Sequence, residues 1–139
     1  MAANTQPIFP KTPQVGGGKV ITADTSYENP VTSVTLFAAG ENGARIDQIK
    51  ARALGDNIAT VLRLFVFDGT TYMLAHEAGL PAATADAAGE TGSDVDILRD
   101  TGYEAMPPVP YLPAGYSLVG TVGTTVASGW MVTVFGGEY

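Results

Sequence analysis

The sequence predicts an all-β protein: a single-domain antiparallel β-sandwich of jelly-roll type, with about eight strands and an extended N-terminal arm. Seventeen glycines and nine prolines punctuate short apolar runs, and we find no ten-residue window with the 3.6-residue period of an amphipathic helix. A chain of 139 residues suits one domain with one core. Short strands between turn signals favour two packed sheets over a closed barrel.

The clearest strand pair lies in the segment IATVLRLFVFDGTTYMLAHEAGL. Odd-numbered residues from Ala59 to Phe67 fall on one face of the first strand, and even-numbered residues from Ile58 to Val66 fall on the other. Both faces are largely apolar, which predicts a central strand over 58–67. Asp68-Gly69 then predicts a type I′ turn, whose two central residues need positive φ.

The remaining strands are predicted from the same short apolar runs between turn residues. Pro113 and Gly115 predict a turn into the penultimate strand. In the last strand Trp130, Val132 and Val134 share a face, which favours a core position for Trp130 over a sugar-stacking one. The predicted strands are 18–23, 31–38, 44–54, 71–79, 94–99, 116–122 and 128–135.

Two segments lack strand patterning. Residues 1–17 contain three prolines and part of a glycine run, so we predict an N-terminal arm over 1–17 and a β-sandwich domain over 18–139. Such an arm either reaches a neighbour or remains untethered. The glycines of VGGGKV do not fit a phosphate-binding loop and are interpreted as flexible linker. Residues 82–93 are small and polar and predict a loop.

Charge and cysteine content narrow the classes of function. The net charge of −7 disfavours direct binding to nucleic acid or to an anionic membrane surface. There is no cysteine, so disulfides and thiolate metal sites are excluded. The first residues lack the pattern of a signal peptide, and no apolar run reaches membrane-spanning length.

Charged residues of opposite sign concentrate in two spans. They form either two solvated faces or complementary surfaces on neighbouring copies, and the sequence leaves both interpretations open. The basic span holds Arg45, Lys50, Arg52 and Arg63, and the acidic span holds Asp86, Glu90, Asp94, Asp96, Asp100 and Glu104.

No catalytic pattern is complete. Asp100-Thr101-Gly102 matches the tripeptide of aspartic proteases, which need two adjacent carboxylates, and Asp24-Thr25-Ser26 is the available partner. The flanking Arg99 and Tyr103 depart from that family's pattern, and Asp-Thr-Gly is also ordinary turn chemistry. We therefore predict a protein that is not an enzyme and carries no cofactor.

Metal and nucleophile sites are equally incomplete. His76 is the single histidine, which excludes a multi-histidine metal site, and we expect it at a hairpin surface beside Glu77. Asp94, Asp96 and Asp100 do not fit an EF-hand loop; an irregular Ca²⁺ site and merely solvated carboxylates are the alternatives. We expect no metal site.

The segments MAANTQPIF, ARIDQIKARALGDNIATVLRLFVFDGT and LPAGYSLVGTVGTTVASGWMVTVFGGEY together resemble a group of small virion proteins of tailed bacteriophages. The resemblance covers most of the chain as a pattern of strands and turns. It implies a capsid decoration (cement) protein on the outer surface of the head, made in the host cytoplasm. Its implied partners are the major capsid protein and other copies of itself, as a trimer, with no nucleic acid and no membrane.

On this hypothesis the arm and the tip of the chain supply the protein interface: Ile8, Phe9, Pro10, Val15 and Tyr139. The alternative is a tail- or fibre-associated adhesin with a carbohydrate-binding groove. Its aromatic residues would come from Tyr72, Tyr103, Tyr111, Tyr116 and Trp130.

Overall fold

The computed structural model describes residues 10–84, 93–98 and 107–139. Within these ranges the chain forms nine strands and no helix, so the all-β prediction is confirmed. The strands are β1 (Thr12–Val20), β2 (Val34–Ala38), β3 (Ala44–Ala53), β4 (Thr60–Phe67), β5 (Tyr72–Leu80), β6 (Asp94–Asp96), β7 (Tyr111–Leu112), β8 (Ser117–Val122) and β9 (Trp130–Glu138).

The strands form two antiparallel sheets packed as a sandwich. One sheet has the order β1-β9-β3-β6, with the two-residue β7 also paired to β3, and the other has the order β2-β8-β4-β5. When β7 is set aside, the first and last strands are neighbours in one sheet, and the second and penultimate strands are neighbours in the other. This interleaving is the strand order of a jelly roll, as the sequence predicts.

The core lies between the sheets and is built from alternating residues of the central strands. Trp130, Val132 and Val134 of β9 are fully buried, which confirms the core position of Trp130. Leu62 and Leu64 of β4 face them from the other sheet and are also fully buried. β4 pairs with β5 on one side and β8 on the other, so its predicted central position is confirmed.

The predicted boundary between arm and domain is wrong. Residues 12–20 pair along their whole length with β9, from Thr12 opposite Glu138 to Val20 opposite Trp130. Within the described parts of the chain β1 is the edge strand of its sheet and forms ladder hydrogen bonds on one side only, so Pro13 is tolerated there. Residues 12–17 therefore belong to the sandwich, and residues 1–9 lie outside the described part of the chain.

The glycine run is part of this strand, so the linker interpretation is also wrong. A Cβ at Gly16 would collide with the carbonyl oxygen of Leu36, and one at Gly18 would collide with Cγ1 of Val34. Both contacts belong to β2 of the opposite sheet. The glycines therefore let the edges of the two sheets approach closely, which closes this side of the sandwich.

The turn between β4 and β5 differs from the predicted type I′ turn. Gly69 has a φ of +100°, but none of the described non-glycine residues has positive φ, so Asp68 cannot take the first central position. Asp68 instead accepts hydrogen bonds through Oδ1 from the amides of Thr70 (2.8 Å) and Thr71 (2.7 Å). This Asx-type arrangement stabilises the four-residue connection between β4 and β5.

Candidate interaction surface

Two adjoining grooves lie at the end of the sandwich where β7 pairs with the start of β3. The first, here called the Tyr139 groove, has a volume of about 490 Å³, and the second, the Pro108 groove, about 360 Å³. Tyr111, 67% exposed, and Pro113 line both. The Tyr139 groove is lined by Asn42, Gly43, Ala44, Tyr111, Leu112, Pro113 and Tyr139, and the Pro108 groove by Val66, Met73, Leu74, Ala75, Pro108, Val109, Pro110, Tyr111, Pro113 and Tyr116.

The Tyr139 groove follows from strand pairing at the sheet end. Tyr111 and Leu112 pair with Arg45 and Ala44, and the alternation of the strand buries Leu112 while it exposes Tyr111. Gly43 has a φ of +80°, and its carbonyl accepts a hydrogen bond of 3.3 Å from the amide of Tyr139. Tyr139 is thereby held at the groove.

The Pro108 groove depends on a β-bulge in the edge strand β5. Leu64 pairs with His76 and Phe65 pairs with Leu74, so Ala75 is the extra residue. A bulge interrupts the normal alternation of faces, and Met73, Leu74 and Ala75 are all exposed in succession. The opposite wall is fixed where the amide of Ile46 donates to the carbonyl of Pro110 at 2.9 Å.

The described linings of the two grooves are mainly apolar. Among the described residues, neither lining includes an acidic, histidine or basic residue. Across the described ranges there is also no group of three or more His, Cys, Asp or Glu residues that could hold a metal ion. The described linings offer apolar area together with the side chains of Tyr111, Tyr116 and Tyr139, which can pack against a binding partner.

The predicted interface residues meet only in part. Tyr139 lines its groove, and Pro10 lies against Gly137, where an added Cβ would be 2.7 Å from Cβ of Pro10. Val15 is 64% exposed on the outer face of the sheet, opposite Phe135, which is also exposed. Ile8 and Phe9 lie outside the described residues.

Of the aromatic residues proposed for sugar binding, only some line a common groove. Tyr111 and Tyr116 both line the Pro108 groove. Tyr72 stacks on Phe67 with ring centres 4.2 Å apart, and Trp130 is fully buried. Tyr103 lies outside the described residues.

Asp24, one of the two candidate protease carboxylates, is held by hydrogen bonds that stabilise a loop. Its side chain accepts hydrogen bonds from the amides of Val31 (2.6 Å), Thr32 (2.9 Å) and Ser26 (3.0 Å). Burial alone would raise the pKa of Asp24, but the amides of Thr32, Ser26 and Val31 outweigh that effect, and the pKa lies below its usual value. A carboxylate held in this way caps the loop between β1 and β2; Asp100, its supposed partner, lies outside the described residues.

The described parts of the basic and acidic spans meet within one chain. β3 pairs with β6, and Lys50 Nζ lies 2.9 Å from Oδ2 of Asp94, while Gln48 donates to Asp96 at 3.2 Å. The hydrogen bond and charge of Asp94 raise the pKa of Lys50. These contacts give Asp94 and Asp96 intrachain partners, so contact between copies is not needed to explain them.

Arg63 is a structural centre that the sequence pattern did not reveal. Arg63 is 8% exposed, and its Nε donates to Glu77 (2.8 Å), its Nη1 to the carbonyl of Asp24 (3.2 Å) and its Nη2 to the hydroxyl of Tyr27 (3.1 Å). The available signal was an arginine inside an otherwise apolar strand. Its partners are 14 to 39 residues away in the chain, so the sequence could not name them.

Asn57 was missed as well. Its Oδ1 accepts from the amides of Ser128 and Gly129, each at 2.9 Å, and its Nδ2 donates to the carbonyl of Gly129 at 2.9 Å. The backbone of Asn57 also exchanges hydrogen bonds with Ala83, which is buried inside the predicted loop 82–93. One asparagine thus joins three connections at the end of the sandwich opposite the grooves.

Comparisons with protein-family models, with curated proteins and with solved structures found no match. In the part of the chain that the structure describes, there is no helix of the length and hydropathy needed to cross a membrane.

Proposed function

We propose that this protein is a non-enzymatic structural protein of a tailed-bacteriophage virion, a capsid decoration protein that self-associates as a trimer and docks on the outer surface of the head. The resemblance of its strand and turn pattern to small phage virion proteins suggests the class. The observation that carries the proposal is the exposed apolar surface centred on Tyr111, whose linings include no acidic or basic side chain among the residues that the structure describes.

An exposed apolar surface of this kind favours docking to another protein. Contiguous apolar patches on soluble proteins commonly mark interaction sites, and tyrosine is enriched among residues that dominate binding energy. Tyr111 stands between two grooves and offers an aromatic anchor with a hydroxyl group. On a symmetric shell many copies of one modest contact would act together.

The sheet edges offer a second means of assembly. β1 and β5 end their sheets, and each pairs on one side only within the described residues. Open edges can accept an extended strand from a neighbour through main-chain hydrogen bonds. In this proposal the apolar surface supplies affinity, and the edges contribute to contacts between copies.

The proposal is tested by cosedimentation with undecorated heads of the phage that carries the gene. Tyr111→Asp places a charge at the centre of the surface and should weaken attachment at least about tenfold. Ile58→Asp is the matched control, because Ile58 is comparably exposed (59%) but precedes β4 in the connection that contains Asn57. Equal attachment of both variants and the unaltered protein would contradict the proposal.

A second candidate function is glycan binding by a tail- or fibre-associated adhesin. The placement of Tyr111 and Tyr116 in one groove favours it, because sugars stack on aromatic rings. A glycan array should then show a specific signal that Tyr116→Ala removes and Tyr72→Ala retains. Attachment to heads with no glycan signal would favour the decoration protein.

A further inference from the structure

Asn42 lies in a tight turn between β2 and β3 and is followed by a glycine. The amide of Gly43 donates a hydrogen bond to the carbonyl of Gly40 at 3.2 Å, which closes a four-residue turn with Glu41 and Asn42 at its centre. Asn42 is exposed, and its side chain makes no hydrogen bond within the part of the chain that the structure describes. Its carboxamide is therefore free to rotate towards the backbone that follows it.

The backbone nitrogen of Gly43 is a nucleophile within reach of this side chain. Its attack on Cγ of Asn42 closes a five-membered ring, and an intramolecular attack of this kind has a high effective concentration. Glycine has no Cβ, so no side chain at position 43 hinders the approach. The carbonyl of Gly40 also accepts from the amide of Gly115 at 3.3 Å, and both bonds are at the long end of the normal range, so the turn holds the Gly43 amide weakly.

The other asparagines in the described ranges lack this combination. Asn29 precedes a proline, whose nitrogen carries no proton to lose. Asn57 precedes a β-branched isoleucine, and its carboxamide is fixed by hydrogen bonds to the backbone of residues 128–129. Among the described asparagines, Asn42 therefore combines a free carboxamide with an unhindered nucleophile.

We propose that Asn42 is a site of spontaneous deamidation, with water as the co-reactant. The nitrogen of Gly43 gives up its proton and bonds to Cγ of Asn42, the bond between Cγ and Nδ2 breaks, and ammonia leaves with that proton. Water then opens the resulting cyclic imide at either of its two carbonyl carbons. One opening gives aspartate, and the other gives isoaspartate, in which the backbone passes through Cβ and Cγ.

Deamidation alters the Tyr139 groove directly. Asn42 lines this groove, whose described lining includes no acidic residue, so either product adds a carboxylate to an apolar surface. Isoaspartate also lengthens the backbone before Gly43, whose carbonyl accepts the bond of 3.3 Å from the amide of Tyr139. There is little space for adjustment, because a Cβ on Gly43 would lie 2.9 Å from the carbonyl oxygen of Leu112. Isoaspartate therefore loosens the contact that holds Tyr139 at the groove.

The test ages the full chain at mildly alkaline pH, where the amide of Gly43 loses its proton more readily, and follows it by mass spectrometry of its peptides. The peptide that contains Asn42 should gain the small mass that accompanies replacement of an amino group by a hydroxyl group, and should separate into two products. It should react at least about tenfold faster than the peptide that contains Asn57 in the same sample. Asn42→Gln is the matched control, because glutamine must close a larger ring, and it should keep its mass.

Three results would overturn the inference: an unaltered Asn42 peptide, a rate equal to that of Asn57, or the same mass gain at position 42 in Asn42→Gln. A second measurement follows hydrogen exchange at the amide of Tyr139, which should be faster in the isoaspartate form than in the unaltered chain. Equal exchange would overturn the assigned effect on the groove. Both measurements use the isolated chain, so their failure is distinct from a failure to attach to heads.

Discussion

The guanidinium carbon of Arg63 lies 4.5 Å from the centre of the Tyr27 ring, and Nη2 of Arg63 donates to the hydroxyl of the same tyrosine at 3.1 Å. The two residues join β4 to the connection between β1 and β2, which Asp24 caps from within. Asp24 also offers its carbonyl to Nη1, while Nε of Arg63 pairs with Glu77 on β5. Burial opposes the charge of Arg63, but the bonds to Glu77 and Tyr27 outweigh it and raise the pKa of Arg63.

Arg63→Met should therefore lower the free energy of unfolding by about 1–3 kcal/mol, because it leaves the Asp24 carbonyl and the Tyr27 hydroxyl without their donor. Arg63→Lys should recover little of this loss, since one ammonium group cannot reach three acceptors held in different directions. Urea unfolding measures both. The control Arg45→Lys alters an exposed ion pair and should change stability by less than about 0.5 kcal/mol. A full rescue by lysine would contradict the assigned geometry.

Asp24 should make stability depend on pH in the acidic range. Its folded-state pKa lies below the ordinary value of 3.8, so its contribution is present above that value and is lost as the pH falls through the folded pKa. Asp24→Asn should lower stability at neutral pH, because asparagine has one acceptor oxygen and cannot accept both the Ser26 bond at one position and the Val31 and Thr32 bonds at the other. It should also flatten the acid dependence of the urea midpoint. Asp68→Asn, at an exposed turn, is the comparison and should have a smaller effect; an unchanged pH profile in Asp24→Asn would refute this role.

The glycine run should tolerate no side chain where the two sheets meet. Gly16→Ala and Gly18→Ala each place a methyl group against β2, and we expect losses of about 1–3 kcal/mol from overpacking. Gly79→Ala is the matched control in another edge strand, with nothing within 4 Å of the added Cβ, and should be neutral or slightly stabilising. Thermal unfolding distinguishes them. Similar melting temperatures for all three variants would restore the linker interpretation.

Trp130 should stabilise the fold through the apolar volume that it buries and not through a hydrogen bond from its ring N–H. It is fully buried, and its Nε1 has no hydrogen-bond partner among the described residues. Trp130→Ala should cost about 3–5 kcal/mol, and Trp130→Phe only about 1–2 kcal/mol, because phenylalanine keeps most of the ring and loses no hydrogen bond. Denaturant unfolding gives both values. Equal losses of stability in Trp130→Ala and Trp130→Phe would contradict this, because they would mean that a hydrogen bond from the ring N–H supplies the stabilisation.

The fold was largely predictable because period-2 alternation and turn residues report local burial and backbone freedom. β4 and β9 carry those signals strongly. β1 did not, because Gly16 and Gly18 occupy positions where an inward side chain would normally reveal the strand. The role of these two glycines depends on the close approach of β2, and this tertiary contact cannot be predicted from the sequence.

Few residues of the candidate surface were predicted, and its arrangement was not. Tyr139 was expected at an interface, and Tyr111 among the aromatic residues of the alternative function. The two meet because β7 pairs with the start of β3, and a two-residue strand is too short for its pairing to be predicted from sequence. The bulge at Ala75 that shapes the Pro108 groove is likewise set by the pairing of β4 with β5.

The most direct measurement of the proposed function is the location of this chain on the particle. Electron cryomicroscopy of the native virion should show the β-sandwich as symmetric density on the outer surface of the head, with Tyr111 facing the capsid protein or a neighbouring copy. Density for the chain at the tail or fibres, or its absence from the purified particle, would contradict the assignment as a decoration protein.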